Sequence, residues 1–298
     1  MLKRLKGRKM TRRHKGGNRT RKLLGGSSLD KRVDLVIARY KEPIKWLEKY
    51  KNRGFHNMYI YNKSDKKVSC PSFGKEVHTK CHVSMIPNVG VCDNTYLYHI
   101  VHHYNSLADI TMFAPGSADM DFKNEILNFT MDKVFKTKNT VMNVFPFDIA
   151  VGEAMYNFTM DKYPTAYIDN RDGPYIEVPQ KLADIRPFGE WYAANFPGDQ
   201  PKAATFFGIM AMSREHIHKR PKSFYENLLM QINTDKFHEG SHFMERSYNA
   251  MLHPLPAECY YTPPIIQKKI GADQGGYKVM RRQQEIGGYI RRWGVKKH

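Results

Sequence analysis

Two aspartates with one residue between them, Asp119 and Asp121, are the side chains best suited to chemistry in this sequence. Carboxylate oxygens are the ligands that Mg²⁺ and Mn²⁺ prefer, and an ion held by them can bridge the diphosphate of a nucleotide. Aspartate is also a common cap at the start of a helix, and residues 122–135 have a helical pattern. The spacing leaves both interpretations open. His253 is a further candidate metal ligand, although a single histidine is more often structural.

A second group of ionisable side chains lies later in the chain and consists of Glu239, His242, Glu245 and Arg246. On a helix, His242 and Glu245 are three residues apart and share a face, so a carboxylate with an oriented neighbour could act as a general base. Ion pairing on the helix surface, with Arg246 or Lys236 as the partner, is the interpretation that the spacing alone favours.

Charged and aromatic side chains also follow the first strand pattern, as Arg39, Tyr40, Lys41 and Glu42. An aromatic ring at this place can stack on a base, and the charges can bind a ribose or a diphosphate. The alternative is a turn that caps the following helix. The chemistry of all three groups therefore depends on the elements that position them.

The first half of the sequence alternates strands and helices. Short β-branched and apolar runs predict strands at 33–38, 58–61, 83–86 and 108–113, and helical spacing predicts helices at 43–54 and 94–104. This alternation indicates an α/β fold with a mostly parallel sheet covered by helices on both faces. Ligands of such sheets bind beyond the carboxyl ends of the strands, so residues 39–43 and 114–121 are the expected binding segments.

The second half is richer in helix. We expect one buried strand at 205–212 and helices at 182–196, from Arg214 with Ser213 as its cap, from Pro221, and at 239–252. Beyond Pro263 the sequence becomes basic and rich in glycine, with aromatic residues between the arginines and lysines.

The positive charge lies at the two ends of the chain. Of the 48 basic residues, 13 fall in residues 1–32 and nine in residues 268–298, whereas residues 33–267 carry as many acidic as basic side chains. We expect the arm to be disordered when free and to bind nucleic acid, anionic lipid or an acidic partner, or else to be a solubilising or nuclear-targeting tail. Its candidate polyanion-binding residues are Lys3, Arg4, Arg12, Arg13, Arg19, Arg21 and Lys22.

The N-terminal sequence and the cysteines bear on location. The first residues lack the apolar region of a secretory signal, and the longest weakly polar run, 203–212, is half of the roughly 20 residues that span a membrane. We therefore predict an intracellular protein without a membrane span. In that compartment the four cysteines are expected to be thiols.

Eight short segments of the sequence occur in the same order as in a known family of proteins. They are Val-Ile-Ala-Arg-Tyr-Lys-Glu at 36–42, Trp-Leu at 46–47, Ile-Tyr-Asn-Lys at 60–63, Pro-Asn-Val-Gly at 87–90, Asn-Thr-Tyr-Leu-Tyr-His-Ile at 94–100, Ala-Asp-Ile-Thr-Met-Phe at 108–113, Phe-Gly-Ile-Met-Ala-Met-Ser-Arg-Glu at 207–215 and Ser-His-Phe-Met-Glu-Arg-Ser at 241–247. In these segments the chain resembles glycosyltransferase-like proteins of the GT-A type, and more narrowly a family of such domains found in fungi and large DNA viruses.

The resemblance implies a GT-A-like domain over residues 33–267 with a nucleotide-sugar site at the ends of the first strands. The residues that it implies near the nucleotide are Arg39, Tyr40, Glu42, Asn88 and Gly90. It implies Mg²⁺ or Mn²⁺ on Asp119 and Asp121, with His253 as a further candidate ligand. Glu245, or Glu239 if the helix starts later, would be the base of an inverting reaction.

We therefore predict a metal-dependent glycosyltransferase that uses a nucleotide-sugar donor and an acceptor that the sequence does not reveal. The alternative is a non-catalytic binding protein with the same fold, associated with a virion and attached through its basic ends to nucleic acid or to acidic partners. The basic arm is similar to the ends of large-virus proteins, which extends the expected location to a viral factory or the virion.

Overall fold

The computed structural model of the chain describes residues 31–72, 78–146, 155–160, 166–167, 176–177, 181–199 and 203–266. Nearly all of the predicted basic arm and the whole basic tail lie outside the described residues, and with them every candidate polyanion-binding side chain. Within the described part, no helix is both long and apolar enough to cross a membrane.

A five-stranded sheet organises the described residues, with the strand order β3-β2-β1-β4-β9. Its strands are β1 Val33–Arg39, β2 Asn57–Asn62, β3 Lys80–Met85, β4 Ile110–Pro115 and β9 Met210–Ser213. The first four are mutually parallel, and β9 runs antiparallel to β4. The prediction of an α/β fold with a mostly parallel sheet is confirmed.

Every residue of β1 is buried because the sheet is covered on both faces. Val36 and Ala38 belong to a core cluster that includes apolar residues of α1 (Val91–His103). Leu35 and Ile37 belong to the opposite cluster, with apolar residues of α2 (Asp121–Thr137) and of the 3₁₀ helix Lys45–Tyr50. The two-residue period of the strand thus divides its side chains between two cores.

The remaining elements form a smaller sheet and a set of short helices. The second sheet has the order β10-β5-β8, and two further strands, β6 and β7, pair antiparallel. The bounds are β5 Met142–Pro146, β6 Ala166–Tyr167, β7 Ile176–Glu177, β8 Ala203–Thr205 and β10 Tyr260–Tyr261. The helices are α3 Phe188–Asn195, α4 Arg214–Ile217, α5 Lys222–Met230, α6 Glu239–Glu245 and α7 Tyr248–Met251, with a 3₁₀ turn at Ala257–Cys259. Ser213 caps α4 as predicted, since its Oγ accepts the amide hydrogen of His216 at 3.1 Å.

Two predicted elements are each divided in the structure. The strand expected at 205–212 is two strands in different sheets, because Phe207 and Gly208 have φ angles of +72° and +64° and turn the chain between them. The helix expected at 239–252 is interrupted by a turn at 246–247, where the Ser247 hydroxyl donates to the Phe243 carbonyl. No glycine or proline marks this interruption in the sequence. The apolar pattern continues through both interruptions, so periodicity alone missed them.

Two other predicted helices differ in type or length. The first is a 3₁₀ helix, Lys45–Tyr50, and the one expected at 182–196 begins only at Phe188. Pro187 precedes it, and a proline lacks the amide hydrogen that an interior helical position requires.

The prediction that all four cysteines are thiols is wrong for one pair. Cys70, in the loop after β2, forms a disulfide with Cys81 of β3, and their Cα atoms are 6.0 Å apart. The parallel pairing of β3 with β2 sets Cys81 opposite Met58, and the loop returns Cys70 to within the usual Cα separation for a disulfide. Cys92 and Cys259 are free thiols.

Candidate functional site

The candidate site lies at the carboxyl edge of the large sheet, where the chain connections diverge on either side of β1. The loop 40–43 follows β1 and the turn 116–120 follows the neighbouring strand β4. The Gly116 amide donates to the Ala38 carbonyl at 2.7 Å, and the Trp46 indole donates to the Gly116 carbonyl at 3.0 Å. The two segments that were expected to bind a ligand therefore lie together at the switch point of the sheet.

Gly116 allows this close approach. A Cβ atom at Gly116 would lie 2.9 Å from Oε2 of Glu42 and 3.3 Å from the Ala38 carbonyl oxygen. Because such contacts are shorter than real Cβ contacts, a larger residue would push the Glu42 carboxylate away from the turn. Glu42 Oε2 also accepts the Tyr40 amide hydrogen at 2.7 Å, which closes the loop on itself.

Arg39 organises this loop. Its buried guanidinium donates to the carbonyls of Glu42 and Tyr40, each at 3.0 Å, and to Oδ1 of Asn62 at 2.6 Å. These bonds fix the ends of β1 and β2 together. We therefore assign Arg39 a positioning role for the loop in place of the direct contact with a nucleotide that the resemblance implies.

Tyr40 is accompanied by two ammonium groups. The Nζ atoms of Lys41 and Lys236 lie 5.0 Å and 4.8 Å from the centre of its ring. Lys236 comes from the segment before α6, so the contact joins two distant parts of the chain. The ring and the two cations suit a phosphate-bearing ligand, because a cation near an aromatic face remains able to bind an anion.

Gly90 has a structural role at the start of α1. Its φ is +56°, its amide donates to the Asp235 carbonyl at 2.7 Å, and a Cβ atom would lie 2.4 Å from the Ile232 carbonyl oxygen. The amide is thus already bonded within the protein, and the expected contact between Gly90 and a nucleotide is not supported. Asn88 lies half-buried in the same loop.

A carboxylate that no sequence motif singled out lies at the start of α1. Asp93 is 3% exposed and accepts a hydrogen bond from the Tyr248 hydroxyl through Oδ1. Burial, followed by the negative charge of Glu245, raises the pKa of Asp93 to about 7. The Glu245 carboxylate is therefore close enough to influence the ionisation of Asp93.

Lys63, directly after β2, is the buried cation of this region. Its Nζ donates to the carbonyl of Val89 at 2.6 Å and to that of Val91. Burial lowers the pKa of Lys63 to about 8, against the opposing effect of Cys92 and Asp93. Lys63 thus holds the loop before α1 and brings a positive charge to the carboxylate pair.

Glu245 is the partly exposed member of the pair. Its Oε1 accepts the Phe207 amide hydrogen at 2.9 Å, and its backbone carbonyl accepts the Thr205 hydroxyl at 2.7 Å. The side chain is 25% exposed, and Oε2 lies 4.0 Å from Nη1 of Arg246. A carboxylate that is fixed by one oxygen and reached by solvent has the geometry that a general base needs.

Cys92 and Lys123 connect this pair to the turn after β4. The Lys123 ammonium donates to the Ser117 hydroxyl at 3.1 Å. Burial raises the pKa of the Cys92 thiol well above its usual value, Asp93 and Glu245 raise it further, and Lys123 and Lys63 lower it. Two cations and two carboxylates therefore surround Cys92 along the carboxyl edge.

Glu239, the other candidate base, is fully buried in a structural ion pair. Its carboxylate accepts the amide hydrogens of Met160 and Ala183 at 2.7 Å and 3.0 Å, and both Nε and Nη2 of Arg186 at 2.8 Å and 3.0 Å. These four bonds occupy both oxygens. Because neither oxygen remains free to accept a proton from a substrate, we withdraw Glu239 as a candidate base. The cation that pairs with Glu239 is Arg186 and not a lysine or arginine of the helix surface.

The three candidate metal ligands do not form one group. Asp119 is half-buried in the turn after β4 and Asp121 is exposed at the first position of α2, whereas His253 contacts Asp199 and Tyr260. In the described ranges, no three His, Cys, Asp or Glu side chains are arranged to hold a metal ion. The assignment of His253 as a metal ligand stays a prediction.

The raised pKa of Asp93 predicts how the stability of the protein depends on pH. The pKa of Asp93 is raised from 3.8 to about 7 in the folded protein, so its stabilising contribution is complete below pH 4 and is lost as the pH rises through 7. We expect Asp93→Asn to gain stability relative to the natural protein between pH 5 and pH 8, by on the order of a few kcal/mol. Urea unfolding of the natural protein and the variant at pH 5 and pH 8 measures this difference in stability. Asp132→Asn, on the exposed side of α2, is the control. Equal pH dependence in all three proteins would contradict the assignment.

A family model described as a protein of unknown function, DUF3431, matches residues 35–263. The match contains the large sheet except for Val33 and Asp34 of β1, and every described site residue from Arg39 to His253. No curated protein matches the chain.

Proposed function

Because the chain belongs to the DUF3431 family, whose function is unknown, we propose its activity from the site itself. We propose that it is a GT-A-like glycosyltransferase that binds a nucleotide sugar at the crevice between β1 and β4 and transfers the sugar to an acceptor beside Glu245. Most of the segments that carry the resemblance lie on β1, β2, α1, β4, β9 and α6. The parallel strands β1, β2 and β4 end at this carboxyl edge, and Phe207, which precedes β9, is bonded to Glu245 at the end of α6.

The observation that carries the proposal is the position of Glu245. Its carboxylate is fixed by the Phe207 amide at the end of the sheet that also holds the Tyr40 loop and the Gly116 turn. A ligand in the crevice would have a base on one side and the cations Lys41, Lys236 and Lys123 on others. Transfer of a group from a diphosphate requires a base for the acceptor and cations for the leaving diphosphate, and both surround this one crevice.

In the proposed reaction, Glu245 removes the proton from an acceptor hydroxyl. The hydroxyl oxygen then forms a bond to the anomeric carbon of the donor, while the bond from that carbon to the diphosphate oxygen breaks. The nucleoside diphosphate leaves with the bonding electron pair, and the lysines stabilise its negative charge. Attack from the face opposite the leaving group inverts the anomeric configuration.

Two of the residues near this crevice, Asp119 and Asp121, also suit a divalent ion. Asp119 and Asp121 would supply two carboxylates, and Mg²⁺ commonly takes one or two carboxylates and completes its shell with substrate phosphates and water. The ion would supply further charge neutralisation for the leaving diphosphate. This role remains a proposal for Asp119 and Asp121 alone.

Titration with nucleotides tests the donor site. We expect one member of a panel of nucleoside diphosphates and nucleotide sugars to bind in calorimetry, and Mn²⁺ to tighten the binding at least about tenfold. Asp121→Ala should abolish the Mn²⁺ effect. Asp132→Ala, on the same helix but paired with Arg53 at the surface, should keep it.

The outcome separates the two candidate functions. Binding that depends on both Mn²⁺ and Asp121 supports the enzyme. Binding without a metal effect would remove the metal from the proposal and leave the lysines as the anion-binding groups. If no donor binds, the glycosyltransferase proposal fails and the non-catalytic alternative with its basic ends takes its place.

A further inference from the structure

The turn that separates β8 from β9 is strained and held by several partners. Phe207 has a φ of +72°, which L side chains rarely adopt, and Gly208 follows it at +64°. The turn is fixed by the bond from the Phe207 amide to Glu245 Oε1 and by the Tyr96 hydroxyl, which donates to the Gly208 carbonyl at 2.8 Å. Strain of this kind persists where the surrounding structure imposes it, and such places cluster at functional sites.

The turn presents aromatic rings beside the candidate base. Four half-buried phenyl rings, which we call the phenyl platform, belong to Phe122, Phe145, Phe206 and Phe207. Phe207 lies 5.2 Å from Phe122 and 5.9 Å from Phe145, and Phe145 lies 5.1 Å from Phe206, each measured between ring centres. The edge-to-face contacts order the rings without burying them completely.

Charged groups border the platform. The Arg246 guanidinium lies 5.3 Å from the centre of the Phe206 ring and 3.9 Å from that of Phe158. On the other side, the Glu245 carboxylate is bonded to the backbone of Phe207. At the edge of the platform, the Glu245 side chain is 25% exposed, whereas the Arg246 side chain is 8% exposed and packs beneath the rings.

This combination matches the chemistry of a sugar ring. A pyranose has an apolar face of C–H groups, which packs on an aromatic ring, and a rim of hydroxyls that donate to carboxylates and accept from guanidinium groups. Ligand sites of this kind are mainly apolar with a few polar groups that fix orientation. Residues 33–267 carry equal numbers of acidic and basic side chains, which favours a neutral ligand over a polyanion.

We propose that the phenyl platform is the acceptor subsite and binds a pyranose ring of a neutral oligosaccharide, with one hydroxyl at Glu245. Its role as the acceptor subsite rests on the proposed glycosyltransferase function. Oligosaccharide binding by the platform does not, because it can be measured without a donor.

The test uses four neutral probes, namely maltohexaose, cellohexaose, chitohexaose and xylohexaose, in saturation-transfer NMR and calorimetry with the full chain. We expect at least one to bind. Phe206→Leu keeps an apolar side chain without the ring and should weaken binding at least about tenfold. Phe224→Leu, which removes a half-buried ring that contacts Tyr225 elsewhere in the fold, should leave binding unchanged.

Phe207→Gly distinguishes recognition from misfolding. Glycine accepts a positive φ without strain, which offsets part of the packing lost with the ring, so the variant should keep a cooperative thermal unfolding transition and still lose at least about tenfold in oligosaccharide affinity. The proposal is overturned if none of the four probes binds, or if both variants bind the best probe as tightly as the natural protein.

Donor and acceptor results can fail separately. Oligosaccharide binding without nucleotide binding would retain the platform as an oligosaccharide site and reject the glycosyltransferase function, and with it the role as acceptor subsite. Nucleotide binding without oligosaccharide binding would reject the subsite and retain the donor site.

Discussion

Glu245→Gln should reduce glycosyl transfer by about 10²- to 10⁴-fold while leaving nucleotide binding within about twofold. Glutamine keeps a side-chain oxygen that can accept the Phe207 amide hydrogen, so the strained turn and the phenyl platform remain in place. Only the capacity to take a proton is removed. The loss should therefore appear in kcat and not in KM.

The measurement is release of nucleoside diphosphate from the nucleotide sugar that binds best, first with water as the acceptor and then with the best oligosaccharide. Glu226→Gln is the matched control, because that glutamate pairs with Lys222 on an exposed face of α5 and should leave turnover unchanged. Turnover by Glu245→Gln equal to that of the natural protein would exclude Glu245 as the base.

Glu239→Ala should destabilise the protein by about 3–5 kcal/mol, the usual effect of removing one partner of a buried ion pair. The substitution leaves the Arg186 guanidinium and the amides of Met160 and Ala183 without their shared acceptor. For a protein of this size the melting temperature should fall by about 10 °C.

The surface pair of Glu226 with Lys222 again supplies the control. Both side chains are more than 40% exposed, so Glu226→Ala should cost no more than about 0.5 kcal/mol. Thermal melts followed by circular dichroism compare the two variants. If they melt at the same temperature, the buried pair at Glu239 does not have the structural role assigned to it.

Periodicity was sufficient for the central part of the fold. The buried β-branched run in β1 and the helical spacing in α1 and α2 are strong local signals, and each element formed within a few residues of the expected bounds. The turn at Phe207 was not predictable in the same way. Its φ of +72° is held by hydrogen bonds that join the turn to Glu245 and Tyr96, and both residues are distant from it in sequence.

The cysteines illustrate the same difference. Their spacing, without a Cys-x-x-Cys pair, and the expected intracellular location led to the expectation of four thiols. Whether two sulfur atoms meet depends on the register of β3 against β2, which sets Cys81 opposite Met58, and on the course of the loop that carries Cys70. Register is a property of the pairing between strands and is not contained in the local pattern of either one.

The sequence by itself determined the α/β class, the carboxyl edge as the place of the site, and the residue types available there, because these follow from periodicity and composition. It also offered two candidate bases on one helix, Glu245 first and Glu239 if the helix started later. Only the tertiary structure separated them, since Arg186 and two buried amides surround Glu239 whereas Glu245 reaches solvent. Asp93 and Lys63 became visible for the same reason: burial and neighbouring charges set an ionisation state, and both arise only when distant segments pack together.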